Sequence, residues 1–200
     1  MPIKRYTGAA NDRLILLLYR GQFQLATDDA FYSDGDRYRP AIAAARELRQ
    51  FLPGAKTALV LGAGLGSVVY VLRKKGCHPT FTLVEKDKVV LQTAMELFSA
   101  VSPQPAIEPV CADAQAFMAG NTAKYDFLFL DVFNGRVVPP FVTTSEFLAQ
   151  CRAAIAPGGH LAFNYMINDA REWEKVKLVF TGVFPGYKEI DLGINRVLVV

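Results

Sequence analysis

Gly62-Ala63-Gly64-Leu65-Gly66 follows the apolar run Thr57 to Leu61 and precedes a helical stretch reaching about Lys75. A glycine-rich turn so placed lets backbone approach a ligand closely, and helix-end N–H groups favour electron-rich ligand atoms. Glu85 ends the next apolar run, 23 positions beyond Gly62, where a carboxylate can accept both hydroxyls of a ribose. Asp113 and Asp131 end the two runs after that, so three successive strands bring carboxylates to one crevice. A dinucleotide site needs Gly-x-Gly-x-x-Gly, and the last of those positions is Ser67. The set therefore fits a compact nucleoside with ribose and adenine donors and a cationic group better than it fits a pyrophosphate. Each acid also has a plainer reading. Glu85 suits a solvated strand end, and Asp113 serves equally well as the cap of a short helix. Asp131 is harder to explain that way, because Val132-Phe133-Asn134-Gly135 opens no clear helix and a carboxylate beside an apolar strand is costly unless used.

Positioning these groups takes an alternation of strands and helices. Apolar runs at Thr57 to Leu61, Phe81 to Val84, Ile107 to Cys111, Phe127 to Leu130 and Leu161 to Tyr165 lack a period of two. That suits strands buried on both faces, as in parallel sheets. Helices are expected after Gly66, from Asp87, from Asp113, over Ser145 to Ile155 and over Arg171 to Phe180, with Pro157-Gly158-Gly159 turning the chain into a strand. The result is a doubly wound α/β sheet. Tyr187 to Leu192 and Arg196 to Val200 lie only three residues apart, too close for a parallel crossover, so the sheet should end in an antiparallel hairpin. Leu14 to Tyr19 and Gln22 to Ala26 flank Arg20-Gly21, a second hairpin, and an Ala-rich helix runs from Ala41 to Leu52. Residues 1–54 thus form a hairpin, an acceptor-side segment and a helix, and 55–200 the nucleoside-binding domain.

Composition narrows the class. The 200 residues are 52% hydrophobic and 20% charged, enough for a globular core without staples. Net charge is +3, with no basic run longer than Arg73-Lys74-Lys75, which argues against a nucleic-acid or membrane-surface partner. No apolar run approaches a membrane span, and the start carries no secretory pattern. Cys77, Cys111 and Cys151 are scattered and read as buried thiols of a soluble cytoplasmic chain, with no metal site expected. An N-terminal hairpin with apolar Leu14 to Leu18 could pair across a homodimer.

Taken together, Val60 to Gly66, Glu85-Lys86-Asp87, Ala112-Asp113-Ala114, Tyr125-Asp126 with Asp131, and Pro157-Gly158-Gly159 resemble the class I S-adenosylmethionine-dependent transferases. More narrowly, the chain is similar to polyamine aminopropyltransferases (spermidine synthases) and their bacterial relatives from about Leu14 to its last strand. Arg20-Gly21-Gln22-Phe23-Gln24 is similar to that family's Asp-Gly-x-x-Gln hairpin, and Tyr38 falls where the family has a substrate-site tyrosine. The resemblance implies a seven-stranded, Rossmann-like sheet that binds S-adenosylmethionine or its decarboxylated form without a metal. It places Gly62, Ala63, Gly64 and Gly66 along the nucleoside and its methionine-derived tail, and Glu85 with Lys86 at the ribose. Asp113 and Ala114 fall at the adenine, and Gln24 at the tail or amine site. Asp131 matches the base for an attacking amine. Tyr38, Phe133, Asn134 and Tyr165 would wall the acceptor, with Phe23 nearby. Asp28 and Asp29 are tied to the acceptor only by their closeness to the hairpin.

The departures bear on the acceptor. Leu65 stands where the family has an acid that helps hold an ammonium, Asn134 replaces a second loop aspartate, and Tyr38-Arg39-Pro40 replaces Tyr-(His/Gln)-Glu. Polycations need several carboxylates to offset ammonium desolvation, so a plain diamine becomes a poorer fit, and Arg39 suits an acceptor bearing a negative group and a solvated helix end equally well. The expected activity is alkyl transfer, aminopropyl or methyl, to a small amine-type molecule. A small-molecule methyltransferase and a non-catalytic nucleoside-binding or scaffolding protein are the rivals, and a nicotinamide-dependent oxidoreductase is disfavoured by Ser67 and the terminal hairpin.

Overall fold

The structure, a computed structural model, describes residues 2–6, 14–26 and 31–200. Asp28 and Asp29 lie outside the described residues. Strands β5 (Thr57–Leu61), β6 (Thr80–Glu85), β7 (Ile107–Cys111), β8 (Tyr125–Leu130), β9 (Ile155–Met166), β10 (Lys188–Asp191) and β11 (Asn195–Val199) form one sheet. Its order is β10-β11-β9-β8-β5-β6-β7. Pairings from β9 through β7 are parallel, whereas β11 runs antiparallel to both β9 and β10. The chain winds from β5 outward to β7, then returns to β8 on the other side of β5. The crevice between β5 and β8 is therefore the point where strand order reverses, the usual place for a ligand in such sheets.

Beyond Thr57 and Asp126 at their starts, strands β5 and β8 are apolar because both of their faces are covered. Ala58, Val60, Phe127 and Phe129 point to one side. There they meet α1 (Arg39–Glu47), α2 (Ser67–Lys74) and α3 (Lys88–Ser99). Leu59, Leu61, Leu128 and Leu130 point to the other side. They meet α4 (Ala114–Gly120), α5 (Ser145–Ala154) and α6 (Ala170–Val183). Fully burying one Leu or Phe is worth about 1.5–3 kcal/mol, so these two strands anchor the sandwich.

The N-terminal hairpin is the centre of something larger. Strands β1 (Pro2–Tyr6), β2 (Leu14–Tyr19), β3 (Gln22–Ala26) and β4 (Phe31–Ser33) form a four-stranded antiparallel sheet in that order. Arg20 and Gly21 both take positive φ (51° and 75°), the twist that a two-residue hairpin prefers. Leu16, Leu25 and the alanines of α1 share one apolar cluster with β5 and α2, so residues on both sides of position 54 contribute to a single core.

Two local expectations are corrected. The alanine-rich helix α1 ends at Glu47, and a short 3₁₀ turn (Leu52–Gly54) follows it. Pro157-Gly158-Gly159 is a bulge inside β9 rather than a turn before it. Ile155 already pairs with Tyr125, and the register resumes at Phe127 with His160. Ile155 is β-branched, which favours extended backbone, and Pro157 restricts Ala156 in the same way, so α5 stops at Ala154. Cys77 and Cys151 are buried as expected, but Cys111 is exposed because β7 is the sheet's edge. No helix among the described residues is long and apolar enough to cross a membrane.

Candidate active site

A cavity of about 610 Å³ opens at the carboxyl ends of β5, β6 and β8. Gly62 is fixed there by sterics. Its φ is +82°, and a Cβ would overlap the backbone carbonyl of Asp131 on the neighbouring strand. Gly64 also lines the cavity, and its N–H donates to Glu85 Oε2 at 3.0 Å. Glu85 Oε1 accepts from Asp87 N, also at 3.0 Å, so one carboxylate ties the glycine turn to the start of α3. Each oxygen keeps a further acceptor direction for a ligand hydroxyl. Burial raises the Glu85 pKa, partly opposed by the two backbone donors.

Asp113 caps a helix and also faces the cavity. Oδ1 caps α4 by accepting from Gln115 N (2.8 Å) and Ala116 N (3.3 Å), while the residue lines the cavity beside Ala114. Lys86 and Asn134 also line it, and the Lys86 ammonium hydrogen-bonds the Asn134 amide oxygen across the opening. Phe133 lies on the same wall. Gln24 reaches the cavity from β3, only 8% exposed, with Nε2 donating to Asp34 Oδ1 at 2.6 Å.

The other predicted positions face elsewhere. Ala63 packs into the core. Gly66 starts α2 with φ +77°, and a Cβ there would overlap the Phe98 ring, so this glycine serves helix packing. Tyr165 sits in the opposite apolar cluster, its ring stacked on Trp173 at 5.2 Å between centroids. It points away from the cavity because adjacent strand residues face opposite sides and its neighbour Asn164 faces in. Phe23 lines a separate, smaller depression with Leu65. Leu65 itself is 2% exposed and does not line the cavity.

The centre of the site is a partly buried network around the buried Asn164. Tyr38 hydroxyl donates to Asp131 Oδ1 at 3.0 Å, and Asn164 Nδ2 donates to the same oxygen at 2.8 Å. Asn195 Nδ2 holds Asn164 Oδ1 at 2.9 Å, which orients the amide. Burial pushes the Asp131 carboxyl up to about 6, against the pull of its two donors, and the charge of Glu85 adds to the rise. Burial and the Asp131 charge also hold the Tyr38 phenol well above its usual value, keeping it a donor. Asn164 and Asn195 escaped the sequence reading. The available signal was the Asn inside the apolar run Leu161 to Tyr165, since a polar residue in a buried strand needs a partner.

These residues suit a nucleoside carrying a cationic centre. Carboxylates stand at or just past three strand ends, Asp87 Oδ2 is buried without a partner at the cavity wall, and the glycine turn is bare of side chains. Among the described residues, no cluster of three or more His, Cys, Asp or Glu is placed to hold a metal ion.

The same fold occurs among known proteins. A probable spermidine synthase from Corynebacterium glutamicum superimposes with a TM-score of 0.78 at 20% identity, covering all of this chain and 80% of that one. This is the class I S-adenosylmethionine-dependent methyltransferase fold. In sequence, this methyltransferase-fold chain is similar to a probable polyamine aminopropyl transferase of Bifidobacterium longum, 31% identical over 119 residues. It is also similar to the polyamine aminopropyltransferase of Vibrio vulnificus, 33% identical over 117 residues. The matches take in 58% and 57% of this chain but 26% and 39% of those relatives' own lengths. No family model matches the chain.

Proposed function

We propose that the protein is a transferase that binds an S-adenosylmethionine-type sulfonium nucleoside and alkylates a small amine. The observation that carries this reading is the placement of Asp131, held by Tyr38 and Asn164, with its backbone packed against Gly62 of the glycine turn. Glu85 would accept the ribose hydroxyls and the free oxygen of Asp113 the adenine amine. When bound, the sulfonium supplies an activated carbon and a leaving group that departs with its electron pair as a neutral thioether. The chain's part is alignment and proton transfer. As the new N–C bond forms and the C–S bond breaks, the amine's proton passes to the second oxygen of Asp131, the one its hydrogen-bond donors leave open. Held near pH 6, that carboxylate is ionised at neutral pH yet basic enough to take a proton, a role typically worth 10²–10⁴-fold. Most of the remaining acceleration would come from holding the two reactants in line.

Aminopropyl transfer is the reading favoured by the sequence similarity. Methyl transfer from S-adenosylmethionine itself is the alternative, favoured by the buried Leu65 where an ammonium-holding acid is expected. Unpaired Cys77, Cys111 and Cys151 are in keeping with a reducing cytoplasm. Calorimetry with S-adenosylmethionine, its decarboxylated form and methylthioadenosine tests the reading. Tighter binding of the decarboxylated form supports aminopropyl transfer, tighter binding of S-adenosylmethionine supports methyl transfer, and no binding of any of the three overturns the transferase.

A further inference from the structure

The charges around the cavity are unevenly matched. Every acid there is engaged. Asp34 holds Gln24 and lies 3.4 Å from the Arg37 guanidinium, Glu85 holds two backbone N–H groups, Asp113 caps a helix, and Asp131 holds Tyr38 and Asn164. Asp87 Oδ1 caps α3. Among the bases, Arg37 is engaged by Asp34 and by the Tyr19 carbonyl, and Lys86 by Asn134. Arg39 and Arg136 are different. Both line the cavity, and neither guanidinium has a hydrogen-bond or ion-pair partner among the described residues.

Their positions along the chain bracket the base. Arg39 follows Tyr38, whose hydroxyl touches Asp131, and Arg136 lies on the loop that leaves Asp131. The nucleoside-side carboxylates, Glu85 and Asp113, come from β6 and the end of β7. Two exposed, unpaired arginines thus line the cavity from the segments that carry Tyr38 and Asp131, and their charges count against a polycation there. A guanidinium is a planar fork of donors that matches a carboxylate, and the pair together can offset its charge and fill its lone pairs.

We propose that Arg39 and Arg136 bind a carboxylate on the acceptor, so that the molecule alkylated beside Asp131 is an amino acid-like zwitterion rather than a plain diamine. The proposal rests on the transferase reading above and specifies its substrate class. The amine faces Asp131 and the carboxylate faces the two arginines. The proton leaves the amine for Asp131, and the carboxylate keeps its charge throughout.

Matched pairs that differ only by one carboxylate test this directly. Ornithine against putrescine, and lysine against cadaverine, are titrated by calorimetry into protein saturated with methylthioadenosine. The same is done with Arg39→Gln and Arg136→Gln, and S-adenosylmethionine is compared with its decarboxylated form in all three proteins. At least one amino acid should bind about tenfold or more tightly than its diamine, as expected of a charge-assisted, bidentate contact. Either arginine variant should erase most of that preference while methylthioadenosine binding is retained. Diamines that bind as well as or better than the amino acids, undetectable amino-acid binding, or a preference that survives both substitutions overturns the proposal. A carboxylate preference confined to the cofactor pair and lost in the variants also overturns it, placing the anion on the sulfonium nucleoside instead. Failure of methylthioadenosine to bind at all is a separate result, and it removes the transferase reading itself.

Discussion

Strand β8 carries an aspartate at each end, and the two are treated in opposite ways. At the entrance, Asp126 Oδ2 accepts from Lys56 N (2.7 Å), Thr57 N (3.0 Å) and Thr57 Oγ1 (3.3 Å), and Thr57 Oγ1 accepts in turn from Asp126 N (3.1 Å). These donors, the Lys56 N–H foremost, hold its carboxyl below the usual value. At the exit, Asp131 has two neutral side-chain donors and, among the described residues, no ion-pair partner, and burial lifts its carboxyl to about 6. Asp126 pins β5 to β8 and is at rest when ionised. Asp131 is kept short of compensation, which leaves it reactive. One strand thus shows the difference between a carboxylate used to build and one kept for chemistry.

Replacing each in turn should separate the two roles most sharply. Asp131→Asn preserves shape and can still accept from Tyr38 and Asn164, but it cannot take a proton. Turnover should fall by about 10²–10⁴-fold, with methylthioadenosine affinity within about twofold of wild type. Asp126→Asn should leave turnover within about twofold. A turnover loss at position 126 as large as that at 131 would erase the distinction.

The pH dependences should run in opposite directions. The protonated form of Asp131 is favoured by folding, so that stabilisation is complete below about pH 4, the unfolded value, and is lost as pH rises through about 6. Activity moves the other way, with kcat/KM rising through about pH 6 as the base ionises. At pH 7 Asp131→Asn should therefore be more stable than wild type by roughly 1–3 kcal/mol in urea unfolding. Asp126 is favoured by folding when ionised, a contribution present above about pH 4 and lost as pH falls through its lowered folded value. Asp126→Asn should be less stable at pH 7 by about 1 kcal/mol, discounted for solvent screening.

Both ends of β8 were visible in the sequence to different degrees. Apolar runs without alternation announced the central parallel strands, because burial on both faces leaves no choice of residue. Spacing alone put Gly62, Glu85, Asp113 and Asp131 at strand ends, and the sheet's winding then brings them to one crevice. What side-chain direction decides was less legible. Tyr165 and Asn164 are adjacent and both plausible, yet one turns into the core and the other into the cavity, and only the register of β9 against β8 tells which. The bulge at Pro157 to Gly159 sets that register, and its glycines read equally well as an ordinary helix stop. Strand β4 was missed because three residues give too little pattern, and β1 because Pro2-Ile3-Lys4-Arg5-Tyr6 has neither an apolar run nor an alternation.

The smallest expected effect probes what the network does for the base. If Tyr38 only fills space beside Asp131, Tyr38→Phe should change neither the pH midpoint nor the rate by much. If its phenol stabilises the carboxylate, its loss must push the Asp131 pKa further up, because a hydrogen bond to the charged form favours that form. The acidic limb of kcat/KM should then move upward from about 6, by about one pH unit or less. At pH 8 the rate should stay within about twofold of wild type, since the carboxylate is still ionised there and remains held by Asn164. An upward midpoint with a nearly intact plateau assigns Tyr38 to tuning. A lowered plateau with an unmoved midpoint would instead mean that the phenol orients the acceptor and that Asn164 alone sets the basicity of Asp131.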